Sequence, residues 1–383
     1  TQNDVAHLVL PDDIQSLPPV DGHSGGPQPV PNRLSLTEDD AAAISALIDD
    51  AEHPLFVIGR GAVSAAPHVL ALAERVDAAV ATTFPAKGSI REDHSLSTGV
   101  LGRSGTPVSA AMQTKSDLIV VFGAGMAPHT GITPKRTVVR IDTDHLAARR
   151  NTPNVEVFAL ADAAGAADRL LTVVEAKDRP DIREWLAARK AWWRSRKAAR
   201  LGLDRDGRLT SASVFHALEA QIPEDAIVAL DVGNTTYSFG RYFEATGQRI
   251  AMSGWLGSIG YALPGSIGAA AAFPDRTIVA IAGDGGFGQY DMELATVAKY
   301  GLDIKVVVLV NDELGKITAE QQLAETHVWA TSLRNPSFAD MAESLGMFGT
   351  RVESLAALEA GMAHLFETPG PGLLEVAGSK LQY

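Results

Sequence analysis

Short runs of apolar residues alternate along this chain with longer segments in which apolar residues recur at helical spacing. Such runs are typical of strands that are buried on both faces of a parallel sheet. The runs comprise residues 54–58, 79–83, 118–122, 137–141, 226–230, 277–281, 304–310 and 372–376. Helices that connect parallel strands cover both faces of the sheet, so the pattern predicts an α/β fold with doubly wound parallel sheets.

The segments between the runs favour helices. Residues 37–51 form an amphipathic stretch, and residues 355–366 place their large apolar side chains on one helix face. The chain has 383 residues, whereas single cores stop growing at about 250 to 300 residues. We therefore predict two Rossmann-like, three-layer domains, one over residues 37–175 and one over residues 208–383.

The remaining segments are predicted to connect and flank these domains. Residues 1–36 are interpreted as a remnant strand, over residues 5–10, followed by a linker rich in proline and glycine. Because the chain starts at Thr1, we expect a fragment of a longer protein. Residues 176–207 are predicted to form a linker helix that packs its tryptophans on a neighbour; a basic, partner-binding helix is the alternative.

Composition narrows the possible functions. No apolar stretch is long enough for a membrane span, and no signal peptide is evident, so we expect a soluble, cytoplasmic protein. The chain has no cysteine, which excludes disulfides, cysteine nucleophiles and thiolate metal sites. A formal net charge of −13 argues against a nucleic-acid partner.

Candidate chemistry lies directly after three predicted strands, where ligands bind in open α/β sheets. These strands are followed by residues 231–236, by Gly283-Asp284-Gly285-Gly286 and by residues 311–316. Glycines allow a ligand to approach the backbone, and N–H groups at the start of a helix bind phosphate. Mg²⁺ or Ca²⁺ held by Asp284, Asn311 and the backbone carbonyl of Glu313 would link the chain to a diphosphate.

The segments that contain Asp284 and Asn311 together resemble the signature of thiamine diphosphate enzymes of the pyruvate oxidase and acetolactate synthase family. Asn311 lies 27 positions after Asp284, and each residue closes an apolar run. Residues 256–264 resemble the segment in which a large residue, Ile259 here, bends the cofactor. The resemblance implies cofactor contacts from Gly233, Asn234, Thr235, Gly257, Ser258, Ile259, Gly283, Asp284, Gly285, Gly286, Asn311, Glu313, Leu314, Gly315, Lys316 and Ile317.

Within this family, residues 311–322 look most like pyruvate oxidase, and acetolactate synthases usually carry tryptophan where this chain has Glu320. We therefore predict Mg²⁺-dependent decarboxylation of a 2-oxo acid such as pyruvate, with electrons passed through FAD to an acceptor, and with Glu320 and Lys316 as catalytic candidates. The alternatives are an acetolactate synthase-like carboligase or a 2-oxo acid decarboxylase. Val310 departs from the paired asparagines that are common in the family.

The first domain resembles the middle domain that binds FAD in this family. The resemblance assigns FAD contacts to Arg103, Ser104, Gly105, Thr106, Met126 and Asp144. Gly102 to Gly105 and Gly123 to Gly125 would let the backbone approach a dinucleotide, and Asp144 follows a predicted strand as a ribose-binding acceptor would. A purely structural Rossmann-like module is the alternative.

The resemblance also has consequences for partners. In this family the cofactor lies between subunits and is activated by a glutamate from the N-terminal pyrimidine-binding domain of the partner subunit, a domain that we expect this chain to lack. We therefore expect a homodimer or homotetramer, with no turnover by the isolated chain. A cofactor-binding and oligomerisation module without catalysis is the remaining alternative.

Overall fold

The computed structural model describes residues 9, 11–18, 34–133, 135–149 and 155–380. Within these residues, twelve strands form two six-stranded sheets in which all strand pairs are parallel. The first sheet contains β1 Pro54–Ile58, β2 Ala79–Thr82, β3 Ser97–Val100, β4 Leu118–Phe122, β5 Thr137–Asp142 and β6 Val155–Leu160. The second contains β7 Ile227–Leu230, β8 Arg249–Met252, β9 Ile278–Gly283, β10 Ile304–Val310, β11 Phe348–Val352 and β12 Gly372–Ala377.

Helices precede, connect and follow these strands. The helices of the first half are α1 Asp12–Gln15, α2 Glu38–Asp50, α3 Ala66–Val76, α4 Pro107–Lys115 and α5 Ala163–Leu171. A long helix, α6 Pro180–Ala198, leads to the second half. That half contains α7 Ser211–Glu219, α8 Asn234–Tyr242, α9 Ala262–Ala272, α10 Asp284–Phe287, α11 Leu294–Tyr300, α12 Gly315–Leu323, α13 Phe338–Ser344 and α14 Leu355–Glu367. Short 3₁₀ segments cover Arg60–Ala65, Phe84–Ala86, Pro128–Thr130, His145–Arg149 and Asp291–Glu293.

Strand order places one crevice in each sheet. The first sheet has the order β3-β2-β1-β4-β5-β6, and the second has the order β11-β12-β10-β9-β7-β8. The direction of winding reverses between β1 and β4 and between β7 and β9, and ligands bind at such switch points. The predicted fold class, two doubly wound α/β units, is confirmed.

The central strands follow the apolar runs closely, whereas the four strands that the pattern did not reveal lie at the sheet edges. These are β3, β6, β8 and β11. β6 and β8 are largely accessible, and β3 has the polar sequence Ser-Thr-Gly-Val. An edge strand has one neighbour, so it needs no continuous apolar sequence.

One hydrophobic cluster extends through both halves of the molecule. It contains Leu55 and Val121 from the first sheet, Leu186 from α6, and Phe239 and Val279 from the second half. On α6, Trp193 is buried and stacks on Tyr242 with ring centroids 6.0 Å apart. The predicted packing role is thus correct for Trp193, whereas Trp192 is 42% exposed.

A buried ion pair also joins the two halves. The Lys87 ammonium donates to both carboxylate oxygens of Glu92, at 2.7 and 2.6 Å, and to the Phe243 carbonyl at 2.7 Å. Glu92 in turn accepts from the Ala245 N–H at 2.9 Å. Every donor of the ammonium therefore has an acceptor, although the Lys87 side chain has no solvent exposure.

The structure bears only partly on the predicted N-terminal segment and domain limits. The predicted strand over residues 5–10 lies largely outside the described residues, and so does most of the linker; its described part includes the single turn α1. The predicted domain limits remain a prediction, although α6 falls within the expected linker helix. No helix among the described residues has both the length and the apolar character needed to cross a membrane.

Candidate functional site

Three adjacent strands of the second sheet each end in a buried polar side chain. Asp231 follows β7, Asp284 follows β9 and Asn311 follows β10. Because β10, β9 and β7 are neighbours and parallel, their carboxyl ends meet at one edge. This edge includes the switch point between β7 and β9, where the sequence pattern placed the ligand.

Asp284 is held by four donors that are unevenly shared between its two oxygens. Its Oδ2 accepts from the Asp312 N–H at 2.7 Å, the Asn311 N–H at 3.2 Å and the Asn335 amide at 2.8 Å. Its Oδ1 accepts from the Gly285 N–H at 3.0 Å. Burial raises the pKa of Asp284 above its usual value, although these hydrogen bonds oppose the shift. Oδ1 is the oxygen with lone-pair capacity left for a cation.

Asn311 presents a second oxygen beside Asp284. Its Oδ1 accepts from the Glu313 N–H at 3.1 Å, and this turn orients the amide oxygen. No group of three His, Cys, Asp or Glu side chains that could hold a metal occurs among the described residues. One carboxylate, one amide oxygen and a backbone carbonyl would therefore bind a hard cation only if ligand or water oxygens completed its shell.

Helix starts surround this edge of the sheet. α8 begins at Asn234 and α12 begins at Gly315, so both helices direct backbone N–H groups towards the strand ends. A Cβ atom at Gly315 would lie 2.8 Å from the Asn234 amide nitrogen and 3.4 Å from that of Asn311. At Gly283, it would lie 3.3 Å from the Thr235 hydroxyl. The sequence-predicted residues of the three loops are thus in close proximity.

Residues 256–264, which we call the bend segment, are more open than the three strand ends. Gly257 has φ +72°, and the Ser258 N–H donates to the Ser253 hydroxyl at 3.1 Å. Ile259, predicted to support the cofactor, is 36% exposed, while Trp255 is 93% exposed. The segment therefore presents apolar side chains beside the strand ends.

The two catalytic candidates lie on the first turns of α12. Lys316 and Glu320 form an ion pair across one helical turn, and this pairing lowers the pKa of Glu320. The Lys316 ammonium lies 5.8 Å from the centroid of the Tyr237 ring on α8. Glu320 is exposed. The two side chains neutralise each other, so a role in proton transfer stays a prediction.

The structure reveals two further residues that the sequence reasoning did not assign. Asn335 bridges Asp284 and Asp312, with its amide nitrogen 3.2 Å from Asp312 Oδ1. It lies in the loop before α13, and no local pattern distinguishes it. Asp231 occupies the same place after β7 that Asp284 occupies after β9, and this equivalence is a signal that could have identified it.

Asp231 fastens the bend segment to the sheet. Its Oδ1 accepts from the Gly260 N–H at 2.8 Å and the Val232 N–H at 2.7 Å. Among the described residues none donates to its buried Oδ2, which would lie 2.2 Å from a Cβ atom at Gly286. Burial raises the pKa of Asp231 to about 6.

This pKa predicts a specific pH dependence of stability. Between pH 4 and 6 the folded chain binds a proton at Asp231 that the unfolded chain has released, because the unfolded pKa is about 3.9. The stability due to protonated Asp231 is complete below about pH 4 and is lost as the pH rises through 6. We expect Asp231→Asn, relative to the unmodified chain, to gain about 2 to 3 kcal/mol of unfolding free energy between pH 4 and 7. Urea unfolding without metal or cofactor measures this difference, and a difference that is constant with pH would contradict the assignment.

The residues assigned to a nucleotide in the first half lie in loops that pack against each other. A Cβ atom at Gly102 would lie 2.3 Å from the His129 carbonyl, and the Arg103 N–H donates to the same carbonyl at 3.3 Å. Ser104 and Gly105 belong to this first loop, and Met126 packs on the shared hydrophobic cluster.

Two of the assigned side chains already have structural roles. The Thr106 hydroxyl caps α4 by accepting from the Ser109 N–H at 3.1 Å and donates to the Thr98 carbonyl at 2.7 Å. Asp144 Oδ1 accepts from the Leu146 N–H at 2.9 Å and so caps a 3₁₀ segment. The space beside Gly102 is thus occupied by protein backbone, whereas a Cβ atom at Gly125 would meet no heavy atom within 4 Å.

Comparison with protein-family models identifies both halves. Residues 41–170 match the model described as "Thiamine pyrophosphate enzyme, central domain". Residues 231–376 match "Thiamine pyrophosphate enzyme, C-terminal TPP binding domain". The second match starts at Asp231 and includes Asp284 and Asn311.

Curated relatives extend over most of the chain. It is 28% identical over 350 residues to the protein named "Putative thiamine pyrophosphate-containing protein YdaP" of Bacillus subtilis. That alignment covers 91% of this chain and 60% of YdaP. It is 31% identical to the acetolactate synthase large subunit of Parasynechococcus marenigrum, over 88% of this chain and 56% of that subunit. Identity to the acetolactate synthase isozyme 1 large subunit of Escherichia coli is 27%, over 89% and 61% of the two chains.

These relatives change one sequence prediction. The chain spans about 60% of the length of the curated relatives it matches. Several are named as acetolactate synthases, so they support the carboligase alternative better than the pyruvate oxidase prediction. The local resemblance of residues 311–322, on which that prediction depended, was weaker evidence than similarity over the whole chain.

Proposed function

Because this chain belongs to the thiamine pyrophosphate enzymes, we propose that it binds thiamine diphosphate through Mg²⁺ at the carboxyl ends of β7, β9 and β10. The observation that carries the proposal is the uneven bonding of Asp284, whose Oδ2 is anchored by three donors while Oδ1 has one. Oδ1, together with Asn311 Oδ1 and the Glu313 carbonyl, would hold the cation. N–H groups at the starts of α8 and α12 would hold diphosphate oxygens.

The proposed reaction is an acetolactate synthase-like carboligation of 2-oxo acids. When bound, thiamine diphosphate supplies the electron sink for loss of CO₂ from a 2-oxo acid. The protein would position the diphosphate through the metal and exclude water with the apolar bend segment around Ile259. Relatives named as acetolactate synthases support this choice. Oxidation of pyruvate, as in a pyruvate oxidase, is the second candidate.

Product analysis separates the candidates. Pyruvate is supplied with thiamine diphosphate, Mg²⁺, FAD and an artificial electron acceptor, and the products are identified by NMR. Acetolactate would support carboligation, whereas acetate formed together with a reduced acceptor would support oxidation. Absence of any product from this chain alone is the outcome that we expect from the sequence analysis, and it would leave cofactor binding as the decisive measurement.

Flavin binding by the first half is a separate hypothesis. It is supported by Gly125, where a Cβ atom would meet no heavy atom within 4 Å, so that a ligand has room to approach the backbone. The commitment of the Thr106 and Asp144 oxygens to helix capping argues against those two contacts. A flavin absorption spectrum of the purified chain after FAD addition and gel filtration tests the hypothesis, and absence of retained FAD would contradict it.

Assembly into a homodimer or homotetramer is also proposed. Trp255, Leu256, Leu323 and Trp329 are each more than 70% exposed, and all lie in segments that flank the candidate site. Isolated apolar side chains are normal at surfaces, but several around one site favour a covering surface. Sedimentation velocity tests this, and a monomer at all concentrations would contradict it.

The cofactor site itself is tested by calorimetry. Thiamine diphosphate is titrated into the chain with Mg²⁺ and, separately, with EDTA. Binding that requires Mg²⁺ supports the proposed metal bridge. Binding of equal strength under both conditions would contradict the role of Asp284 and Asn311.

Asn335 is predicted to position the metal carboxylate. Replacing it by alanine removes one of the three donors to Asp284 Oδ2 and so frees the carboxylate to rotate. Loss of a residue that orients a metal ligand typically costs about 10- to 100-fold in metal affinity. We expect Mg²⁺-dependent cofactor binding to weaken within that range, measured by calorimetry. Unchanged affinity, with an unchanged urea unfolding midpoint, would show that the hydrogen bond has no positioning role.

A further inference from the structure

A cleft lies between α6, β3 and α8, outside the candidate cofactor site. The cleft encloses a small cavity of about 40 Å³, which is more than the roughly 10–15 Å³ that one water molecule needs. Trp193 and Val108 contribute apolar surface, and the other walls carry a group of charged side chains.

Cations dominate these walls. Lys190, Arg194 and Lys197 follow one another on one face of α6, and Arg241 enters from α8. The lining includes only two carboxylates, those of Glu92 and Glu244. Glu92 is already paired with the buried Lys87. The cleft is therefore locally positive, although the whole chain carries a net charge of −13.

The α6 cations have partners that use only part of their capacity. The Lys190 ammonium donates to the Glu92 and His94 carbonyls at 2.9 and 2.8 Å, and Arg194 pairs with Glu244. The Lys197 ammonium lies 3.1 Å from the Tyr242 carbonyl and within 3.8 Å of the Glu219 and Glu244 carboxylates. Glu244 is thus shared between two cations.

Arg241 differs from these three. Its Nε is buried, and no described residue accepts a hydrogen bond from it. A buried donor on a cation without an acceptor costs free energy, and Arg cannot avoid the cost by releasing its proton. An anion in the cleft would remove this cost.

We propose that the cleft between α6, β3 and α8 binds a small oxyanion, namely a phosphate group, through Arg241 with help from Lys190, Arg194 and Lys197. Guanidinium groups match phosphate oxygens in charge and geometry. Burial lowers the pKa of Lys190, and the nearby Arg194 contributes to the same shift. An anion beside both would oppose that shift and stabilise the charged ammonium.

The site is distinct from the nucleotide loop predicted in the first half. Thr106 is the residue that the cleft shares with that loop, and its hydroxyl is committed to the α4 cap and the Thr98 carbonyl. The phosphate could be a free ion or part of a nucleotide, and both present the same chemistry to Arg241.

The test is a calorimetric titration of the full chain with inorganic phosphate, without metal or thiamine diphosphate. We expect one phosphate per chain, with affinity that falls as salt increases. Arg241→Met should weaken binding at least about tenfold, because charge-assisted hydrogen bonds contribute roughly 1.5–3 kcal/mol. Arg205→Met, at an exposed arginine outside the cleft, should bind like the unmodified chain.

One further variant and one further probe make the result unambiguous. Arg241→Lys keeps the charge of the cleft but has no Nε–H and no planar guanidinium, so it should bind phosphate more weakly than the unmodified chain, and it serves if Arg241→Met fails to fold. Adenosine 5′-monophosphate that binds more tightly than phosphate would identify a nucleotide as the source; weaker binding would identify the free ion. No phosphate binding by the unmodified chain, or equal binding by Arg241→Met, overturns the proposal. The second outcome would place phosphate outside the cleft.

Discussion

Asp284→Ala is expected to weaken Mg²⁺-dependent thiamine diphosphate binding by at least about a hundredfold. Residues that only orient a metal ligand already account for about 10- to 100-fold in affinity, so removal of a proposed ligand should have a larger effect. The variant also leaves the diphosphate without the cation that would separate it from the remaining negative groups. Calorimetry with excess Mg²⁺ measures the loss.

The control for this variant is Asp275→Ala. Asp275 is an exposed carboxylate between α9 and β9, in the same half of the chain but away from the strand ends. It removes the same charge without touching the site. Equal affinities of Asp284→Ala and Asp275→Ala would show that the diphosphate site lies elsewhere. A folding defect is identified by urea unfolding without cofactor.

Glu92→Gln should destabilise the fold by about 3–5 kcal/mol, the range measured when one partner of a buried ion pair is removed. The Lys87 ammonium would keep the Phe243 carbonyl but lose its counter-charge while remaining buried. Lys87→Met leaves the opposite charge unpaired and should have a similar effect. The double variant Lys87→Met with Glu92→Leu removes both charges and should recover much of the loss. Urea unfolding at pH 7 gives these free energies.

An exposed ion pair between the same two halves supplies the comparison. Arg91 contacts Glu224 at 2.8 Å across the surface, and both side chains are accessible to water. Arg91→Gln should leave the unfolding midpoint almost unchanged, since exposed pairs contribute little. If Arg91→Gln and Glu92→Gln were equally destabilising, burial would not be the source of the effect.

The fold could be predicted because buried parallel strands have a distinctive sequence. β4 and β10 coincide with their apolar runs at both ends, since every side chain on them is buried. Edge strands such as β8 lacked that signal, because their extended conformation depends on pairing with a neighbouring strand rather than on their own sequence. The pairing of β7 with β8 is a tertiary contact that a local pattern does not contain.

The site could be predicted where chemistry follows a strand directly. Asp284 and Asn311 each follow an apolar run, so the topology alone places them side by side. Asn335 could not be found in this way, because it reaches Asp284 from a loop 51 residues later in the chain. The choice between two reactions depended on residues 311–322, which include the exposed Glu320, a residue whose identity the fold does not constrain.

The hydrophobic cluster shared by both halves has a consequence for evolution and for engineering. Side chains of the first sheet, of α6 and of the second half contribute to it together. A chimera that takes one half from this chain and the other from a relative would join two surfaces that did not diverge together. Recombination should therefore succeed when α6 and the segment around Glu92 are exchanged together with the second half. The units that can be exchanged thus differ from the two sheets.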